Sequence, residues 1–150
     1  MSDMHDTSKL DDLIVTLIDS IKGFENSAEA AEATRYREFF TEMARDRRGA
    51  VELLQAASRA EGGTPADYGS FAGTLHRRFE DLRNALGGGD EAIIKEVERG
   101  EDYLKQEFDR VLADERMSPA ALAAVREAYV SVRKGHDTAS ALKHQLESAD

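Results

Sequence analysis

Charged residues interrupt the apolar faces of the helices that this sequence predicts, and they are the residues that could do chemistry. Arg47, Glu101 and His136 each occupy a position of an otherwise apolar stripe. Glu25 and Glu98 lie beside the stripes, one turn after an isoleucine. A buried carboxylate or guanidinium is unfavourable unless it has a partner, a metal or a water-filled pocket. These residues therefore predict a polar layer inside the fold.

A metal site is one interpretation of this layer. Folding the last two predicted helices about a turn near Arg116 places His136 level with Glu98, and carboxylate and imidazole groups both bind Fe and Mn. The chain contains no Glu-x-x-His, the motif that aligns a carboxylate and an imidazole in two-iron helical bundles. We therefore expect at most one Fe or Mn ion, with predicted ligands Glu25, Glu98, Glu101 and His136.

A buried polar network without metal is the second interpretation. Arg47 would pair with Glu101 or Glu98, because a guanidinium and a carboxylate satisfy each other bidentately. His136 would hydrogen-bond a carboxylate or Tyr129. In a third interpretation His136 or Glu25 is exposed and no layer exists. The sequence leaves these alternatives open.

Glycines accompany the charged positions. An interior glycine destabilises a helix by about 1 kcal/mol relative to alanine, so its presence there calls for a reason. Close approach of helices at the polar layer would supply one, as would a packing layer of small residues without chemistry. The glycines within two residues of a charged position are Gly23, Gly49, Gly100 and Gly135.

Five amphipathic helices would position these residues. Apolar side chains at three- and four-residue steps predict a first helix from about Ser8 to Glu32, with Ser8 as its N-cap and residues 1–7 flexible. No alternating strand pattern occurs in the sequence, so the predicted fold is all-α. Capping residues, prolines and glycines predict that the other helices begin near Thr34, Pro65, Asp90 and Pro119.

The lengths of the connections predict the topology. Short turns join the first helix to the second and the fourth to the fifth, so each pair forms an antiparallel hairpin. The third helix, about 30 Å long at 1.5 Å per residue, would return along the bundle within residues 61–89. This arrangement is a ferritin-like four-helix bundle with a helical crossover between its second and third bundle helices. A plain up-down bundle of five helices is the alternative.

Composition limits the function classes. A chain of 150 residues suits a single domain spanning 1–150. Its formal charge of -10 disfavours nucleic acid and anionic lipid as partners. The absence of cysteine excludes disulfides and thiolate metal sites. The sequence contains no membrane-spanning run and no signal peptide, so we expect a cytoplasmic protein.

Motifs of the common enzyme classes are missing from the sequence. It contains no Gly-x-Ser-x-Gly elbow, and its glycine runs match no phosphate-binding or dinucleotide-binding pattern. We therefore identify no catalytic residue, and a non-enzymatic protein is the preferred prediction.

Four short segments stand out together: Gly23-Phe24, Gly69-Ser70-x-x-Gly73-x-Leu75-His76-Arg77, Glu98-Arg99-Gly100-Glu101-Asp102 and His136-Asp137. With them, nearly the whole chain resembles a bacterial ferritin-like four-helix-bundle family, a domain of unknown function. The resemblance implies a ferritin-like fold and a small cytosolic protein of the kind linked with bacterial stress responses. It implies no catalytic residues. The alternative is a helical interaction or scaffold protein that self-associates into a homo-oligomer.

Overall fold

The computed structural model describes residues 2–67 and 89–148, and helices account for most of them. No strand occurs in these two ranges, which confirms the all-α prediction. The helices correspond to the predicted first, second, fourth and fifth helices. They are α1 (Ser2–Ala30), α2 (Thr34–Ala60), α3 (Gly89–Leu112) and α4 (Pro119–Ser148).

The first helix begins earlier than its capping pattern indicated. α1 includes residues 2–7, which we expected to be flexible, so the predicted start at Ser8 is wrong. Tertiary contacts explain the difference. Asp6 is fully buried, and the His5 Nε2 lies 2.7 Å from Asp114 Oδ2 beyond the end of α3. Contacts distant in sequence therefore extend α1 into its polar start.

The chain after α2 is not helical over residues 63–67, so the predicted start of the third helix at Pro65 is wrong. Ala66 N–H donates to Asp11 Oδ1 at 2.7 Å, and the Ala66 carbonyl accepts from Gln55 Nε2 at 3.0 Å. These two bonds hold the segment against α1 and α2. The rest of the predicted third helix, residues 68–88, lies outside the described residues.

Contacts at both ends of α1 establish the direction of α3. The ring of His5 meets Asp114 at one end. At the other end the Asp90 carboxylate accepts from the backbone N–H groups of Glu32 and Ala33, at 2.8 and 2.9 Å. α1 and α3 are therefore antiparallel, and α3 runs in the same direction as α2. The chain leaves α2 and enters α3 at opposite ends of the bundle.

A single hydrophobic core lies between the four helices. α1 packs against α2 and α3, and α4 packs against the same two helices, so the four form a closed ring around the core. Among the described residues, no helix has an apolar stretch long enough to cross a bilayer. The largest core side chains, each less than 2% exposed, include Leu10, Leu17, Phe40, Leu54, Ile94, Leu104, Phe108 and Val125.

Candidate functional site

A bidentate ion pair between Arg47 and Glu101 lies in the middle of this core. Arg47 Nη1 donates to Glu101 Oε2 at 2.9 Å, and Arg47 Nη2 donates to Glu101 Oε1 at 2.6 Å. The two side chains are 0% and 3% exposed. α2 carries the arginine and α3 carries the glutamate, and these helices lie diagonally across the bundle. The pair therefore spans its centre.

The other two helices complete the coordination of the guanidinium. From α1, Ser20 Oγ accepts from Arg47 Nη1 at 3.1 Å, and the ring of Phe24 lies 5.2 Å from the guanidinium carbon. From α4, the Ser131 carbonyl accepts from Nη2 at 3.3 Å. Ser131 Oγ donates to Asp46 Oδ2 at 2.6 Å. All four helices thus contact one buried cation, which we call the Arg47 layer.

Gly135 makes room for this layer. A Cβ atom at this position would overlap Arg47 Nη2 and Glu101 Oε1, and it would lie 2.9 Å from Met43 Cε. The predicted close approach therefore holds for this glycine. It is wrong for the other three, because a Cβ there meets nothing within 4 Å; they are Gly23, Gly49 and Gly100.

His136 lies beside the Arg47 layer and binds two aspartates. Its Nε2 is 2.6 Å from Asp102 Oδ1, and its Nδ1 is 3.1 Å from Asp137 Oδ1. Burial of the side chain disfavours the charged imidazolium, but the hydrogen bonds to Asp137 and Asp102 outweigh it and raise the pKa of His136 above 6.5. The two aspartates therefore favour the protonated imidazole, and the bond to Asp102 joins α3 to α4.

The alignment of α3 with α4 differs from the one that the turn predicted. His136 meets Asp102, one helical turn away from the expected Glu98. Ser118, just before α4, donates its N–H to Asp6 Oδ1 at 3.0 Å and its hydroxyl to Glu61 Oε1 at 3.0 Å. Contacts to α1 and to the end of α2 therefore position the start of α4, and turn length alone does not reveal them.

The predicted metal ligands are distributed over separate ion pairs. Glu25 pairs with Arg48 at 2.9 Å, and both side chains are about half exposed. Glu98 accepts from Lys143 Nζ at 3.1 Å. Across residues 2–67 and 89–148, no three His, Asp or Glu side chains are placed to hold a metal ion. The structure does not bring together the predicted ligands Glu25, Glu98, Glu101 and His136.

Tyr129 lies outside the Arg47 layer; of the two partners predicted for His136, a carboxylate or Tyr129, the structure has the carboxylate of Asp102. Its hydroxyl donates to Asp109 Oδ1 at 2.8 Å, and its ring packs 6.0 Å from that of Phe108. Burial would raise the pKa of Asp109, but hydrogen bonds from Lys105 and Tyr129 lower it below the ordinary value. This group is a second link between α3 and α4.

Sequence reasoning missed the serines and the aspartate that complete these contacts. Ser20 follows the buried Leu17 by one turn, and Ser131 precedes the buried Val132. Their positions beside apolar stripes were the available signal, but a hydroxyl is readily buried and so does not demand a partner as a charge does. Asp102 was hidden by the incorrect alignment of α3 with α4.

Comparison with protein families relates most of the chain to one model. The model, described as a domain of unknown function (DUF2383), matches residues 6–114. The matched range includes Arg47 and Glu101, whereas Gly135 and His136 lie beyond it. No curated protein and no solved structure matches the chain.

Proposed function

The chain belongs to the family of the domain of unknown function DUF2383, and we propose that it is a ferritin-like four-helix bundle acting as a non-enzymatic interaction or scaffold protein. The observation that carries this proposal is the buried Arg47–Glu101 pair. In two-metal helical bundles, inward carboxylates and imidazoles surround metal cations. Here the side chain of Arg47 supplies the central cation.

The proposed crossover topology draws on the arrangement of the described helices. α1, α2, α3 and α4 close a core among themselves. The chain leaves α2 at one end of the bundle and enters α3 at the other. A four-helix bundle with one long connection has both properties. The helical nature of that connection stays a prediction.

Electrostatics favours a scaffold over a metal centre at the Arg47 layer. The guanidinium is permanently charged and would repel a divalent cation strongly in a dry interior. Both oxygens of Glu101 already accept hydrogen bonds from it. A metal would have to displace the Arg47 guanidinium from Glu101. That would leave the guanidinium buried without its counter-ion, which is unfavourable.

A buried ion pair of this kind serves alignment more than stability. Replacing such a pair with apolar residues is often neutral or stabilising, whereas separating its partners costs about 3–5 kcal/mol. Sliding α2 or α3 by one turn would separate Arg47 from Glu101. The pair thus disfavours misaligned bundles and holds the outer faces in one arrangement, as a scaffold requires.

Self-association is the mode of interaction we propose. Large apolar side chains that stay exposed in the described parts of the chain include Tyr103 on α3 and Val130 on α4, at 50% and 67%. Each would gain from burial against another copy. A cytoplasmic location and a link with bacterial stress responses complete the proposal and rest on the sequence.

A concentration series tests self-association. Multi-angle light scattering should report a molar mass that rises with concentration, and Tyr103→Ser or Val130→Ser should shift that rise to higher concentration. Lys22→Ser, an exposed substitution on α1, is the matched control and should leave the curve unchanged. A mass of one chain at every concentration would contradict the interaction proposal.

Metal titration tests the choice of scaffold over metal centre. Anaerobic calorimetry with Fe(II), and a parallel titration with Mn(II), should show no stoichiometric binding to the wild-type protein. Stoichiometric binding that disappears in Glu98→Gln and His136→Gln would instead establish the metal interpretation. Neither variant breaks the buried pair of Arg47 and Glu101, so we expect both to fold. Circular dichroism verifies this.

A further inference from the structure

The outward face of α3 carries a tyrosine at its centre. Tyr103 is 50% exposed, whereas Glu101 and the apolar residues of α3 that meet the core are buried. At 100° per residue, Tyr103 lies about 200° around the helix from Glu101. It is therefore on the side of α3 that faces away from the Arg47 layer. The bundle leaves a large aromatic side chain on its surface there.

Two ion pairs flank Tyr103 along this face. One helical turn and more before it, Arg99 pairs with Glu96. After it, Arg110 pairs with Glu107 at 3.0 Å. Steps of four and seven residues keep helical side chains on one face, so the four charges and the tyrosine line up. Both arginine side chains are more than two-thirds exposed, so their charges can also act on another molecule.

The order of these charges reverses about Tyr103. Glutamate is seven residues before it and arginine seven residues after it, whereas arginine is four residues before it and glutamate four residues after it. A two-fold axis at Tyr103 would pair two copies of α3 antiparallel. A residue before Tyr103 then lies level with the residue of the second copy that follows Tyr103 by the same number of positions. Each arginine would meet a glutamate, whereas a parallel pair in register would place like charges level.

The net charge of the chain favours this face over others for contact between two copies. Each copy has a formal charge of -10, so two copies repel each other at long range. On the face around Tyr103 two glutamates and two arginines cancel. Contact here therefore brings together no excess of negative charge.

Gly100 is the third feature of this face. An interior glycine destabilises a helix by about 1 kcal/mol relative to alanine. A Cβ atom at Gly100 would meet nothing within 4 Å, so packing inside the described chain does not require the glycine. Helical side chains lean toward the N-terminus of their helix, and Gly100 lies one turn before Tyr103 in that direction. It leaves room beside the first ring for a second one.

We propose that two copies of the chain associate through this face of α3, antiparallel, with the two-fold axis at Tyr103. The two tyrosine rings pack together at the axis, offset or edge to face. On each side of them Arg99 of one copy pairs with Glu107 of the other, and Glu96 with Arg110. This proposal rests on the self-association proposed above and defines its surface. Few side chains form the contact compared with the roughly 20–30 residues a side of a standard interface, so the dimer dissociates on dilution.

Charge reversal tests the pairing, with the dissociation constant measured by sedimentation equilibrium. Arg99→Glu places two glutamates level with each other on both sides of the axis, and Glu107→Arg does the same with arginines. Each should raise the dissociation constant about tenfold or more, since attraction becomes repulsion at two ion pairs. Lys22→Glu, at an exposed position of α1, changes the net charge as Arg99→Glu does and is the matched control. It should leave the dissociation constant within about twofold of the wild-type value.

The combined variant Arg99→Glu with Glu107→Arg separates contact between copies from damage to the helix. It restores opposite charges between the copies, so the dissociation constant should return toward the wild-type value. Within each chain it breaks both ion pairs of α3, those with Glu96 and with Arg110. If the single variants acted by weakening α3, the combined variant would therefore dissociate most readily of all, and that result would overturn the proposal.

Single cysteines test the position of the axis, because the chain has no cysteine of its own. A disulfide requires Cα atoms within about 7 Å of each other. Tyr103→Cys places its two thiols at the axis and should give a disulfide-linked dimer on mild oxidation. Glu96→Cys is the matched control on the same face, since the axis separates its two copies by about 21 Å at 1.5 Å per residue. Efficient linkage through both positions would indicate parallel pairing and overturn the proposal.

The same measurements distinguish failure of this interface from failure of self-association. A molar mass that rises with concentration equally in the wild-type protein and in every α3 variant would place the contact elsewhere, for example at Val130, and would overturn this interface alone. A mass of one chain at every concentration would refute both proposals.

Discussion

At the scale of single residues, the guanidinium of Arg47 has a carboxylate, a hydroxyl and a backbone carbonyl as acceptors. Hydrogen bonds to ionised groups in a dry interior are strong, and an unpaired ion there is very unfavourable. Removing one member of the Arg47–Glu101 pair should therefore destabilise the protein more than removing both. Substitutions of the ion pair test this difference in stability, and a substitution of Gly135 tests the space that the pair occupies.

The first prediction concerns the ion pair itself. Glu101→Leu leaves Arg47 buried without its counter-ion and should lower the free energy of unfolding by about 3–5 kcal/mol, measured by urea denaturation. Arg47→Met combined with Glu101→Leu should recover most of that loss. Arg48→Met removes only the exposed pair with Glu25 and should change stability by less than about 1 kcal/mol. A double variant as unstable as Glu101→Leu would contradict this account.

The second prediction concerns the space beside the pair. Gly135→Ala inserts a methyl group against Arg47 and Glu101 and should lower the free energy of unfolding by about 1–3 kcal/mol, as overpacking does. Gly49→Ala is the matched control, because its Cβ meets nothing within 4 Å. It should raise the midpoint of thermal unfolding through helix propensity. Equal effects of both substitutions would rule out a special role for Gly135.

At the scale of helices, polar contacts near the helix ends and along the α3–α4 interface determine how the elements align. Asp90 binds the turn between α1 and α2, Ser118 binds Asp6 and Glu61, and His136 binds Asp102. The contacts of Asp90 and Ser118 join helices that are distant in sequence, whereas His136 and Asp102 join the two helices of one hairpin. The alignment of α3 with α4 therefore depends on charge as well as on apolar packing, and this makes it sensitive to pH.

The third prediction is a pH dependence from His136. Its pKa is raised in the folded protein, so the stabilisation is fully present below the ordinary pKa of 6.5 and is lost as the pH rises through the raised value. The stability difference between the wild-type protein and His136→Gln should therefore be large at pH 5.5 and small at pH 9, measured by urea denaturation. His144→Gln, at a residue whose side chain is 75% exposed, should show no such change between the two pH values.

At the scale of the whole molecule, α1, α2, α3 and α4 pack around one shared core. Ala66 is held level with Asp11, and Asp90 is held level with Glu32, near the other end of α1. Along the axis of α1, the levels of Asp11 and Glu32 are about 30 Å apart at 1.5 Å per residue. The bundle therefore imposes a minimum length on the connection from α2 to α3.

The fourth prediction tests that requirement. Replacing residues 68–88 by a glycine–serine linker of equal length should preserve the helicity of the four helices and cooperative thermal unfolding, followed by circular dichroism. A linker of five residues reaches about 20 Å when extended and should disrupt the bundle. If the protein folds equally well with the short linker, the end of α2 and the start of α3 cannot lie at opposite ends of the bundle. Unfolding with the long linker would favour the five-helix alternative.

The sequence by itself determined the helical class, most of the helix boundaries and the presence of charges on apolar faces. These properties are local, because capping residues, glycines and three-to-four-residue periodicity act within one helix. α4 begins at Pro119, and Ser118 caps it as predicted, since its hydroxyl oxygen accepts from the Ala121 N–H at 3.2 Å. α2 begins at Thr34, close to the predicted start, but its N-cap is Ala33 and the predicted cap Thr34 is the first helical residue. Arg47 and Glu101 stood out for the same reason, since a charge on an apolar stripe is visible without knowing its partner.

Only the tertiary structure decided which charges meet. Glu101 could pair with Arg47 or bind a metal, and His136 could face Glu98 or Asp102, because the sequence contains no information on the relative heights of the two hairpins. Those heights follow from contacts such as Ser118 with Asp6 and Asp90 with Glu32, which join residues far apart in the chain. Helical periodicity defines the direction of a side chain, whereas its partner depends on how the helices slide past one another.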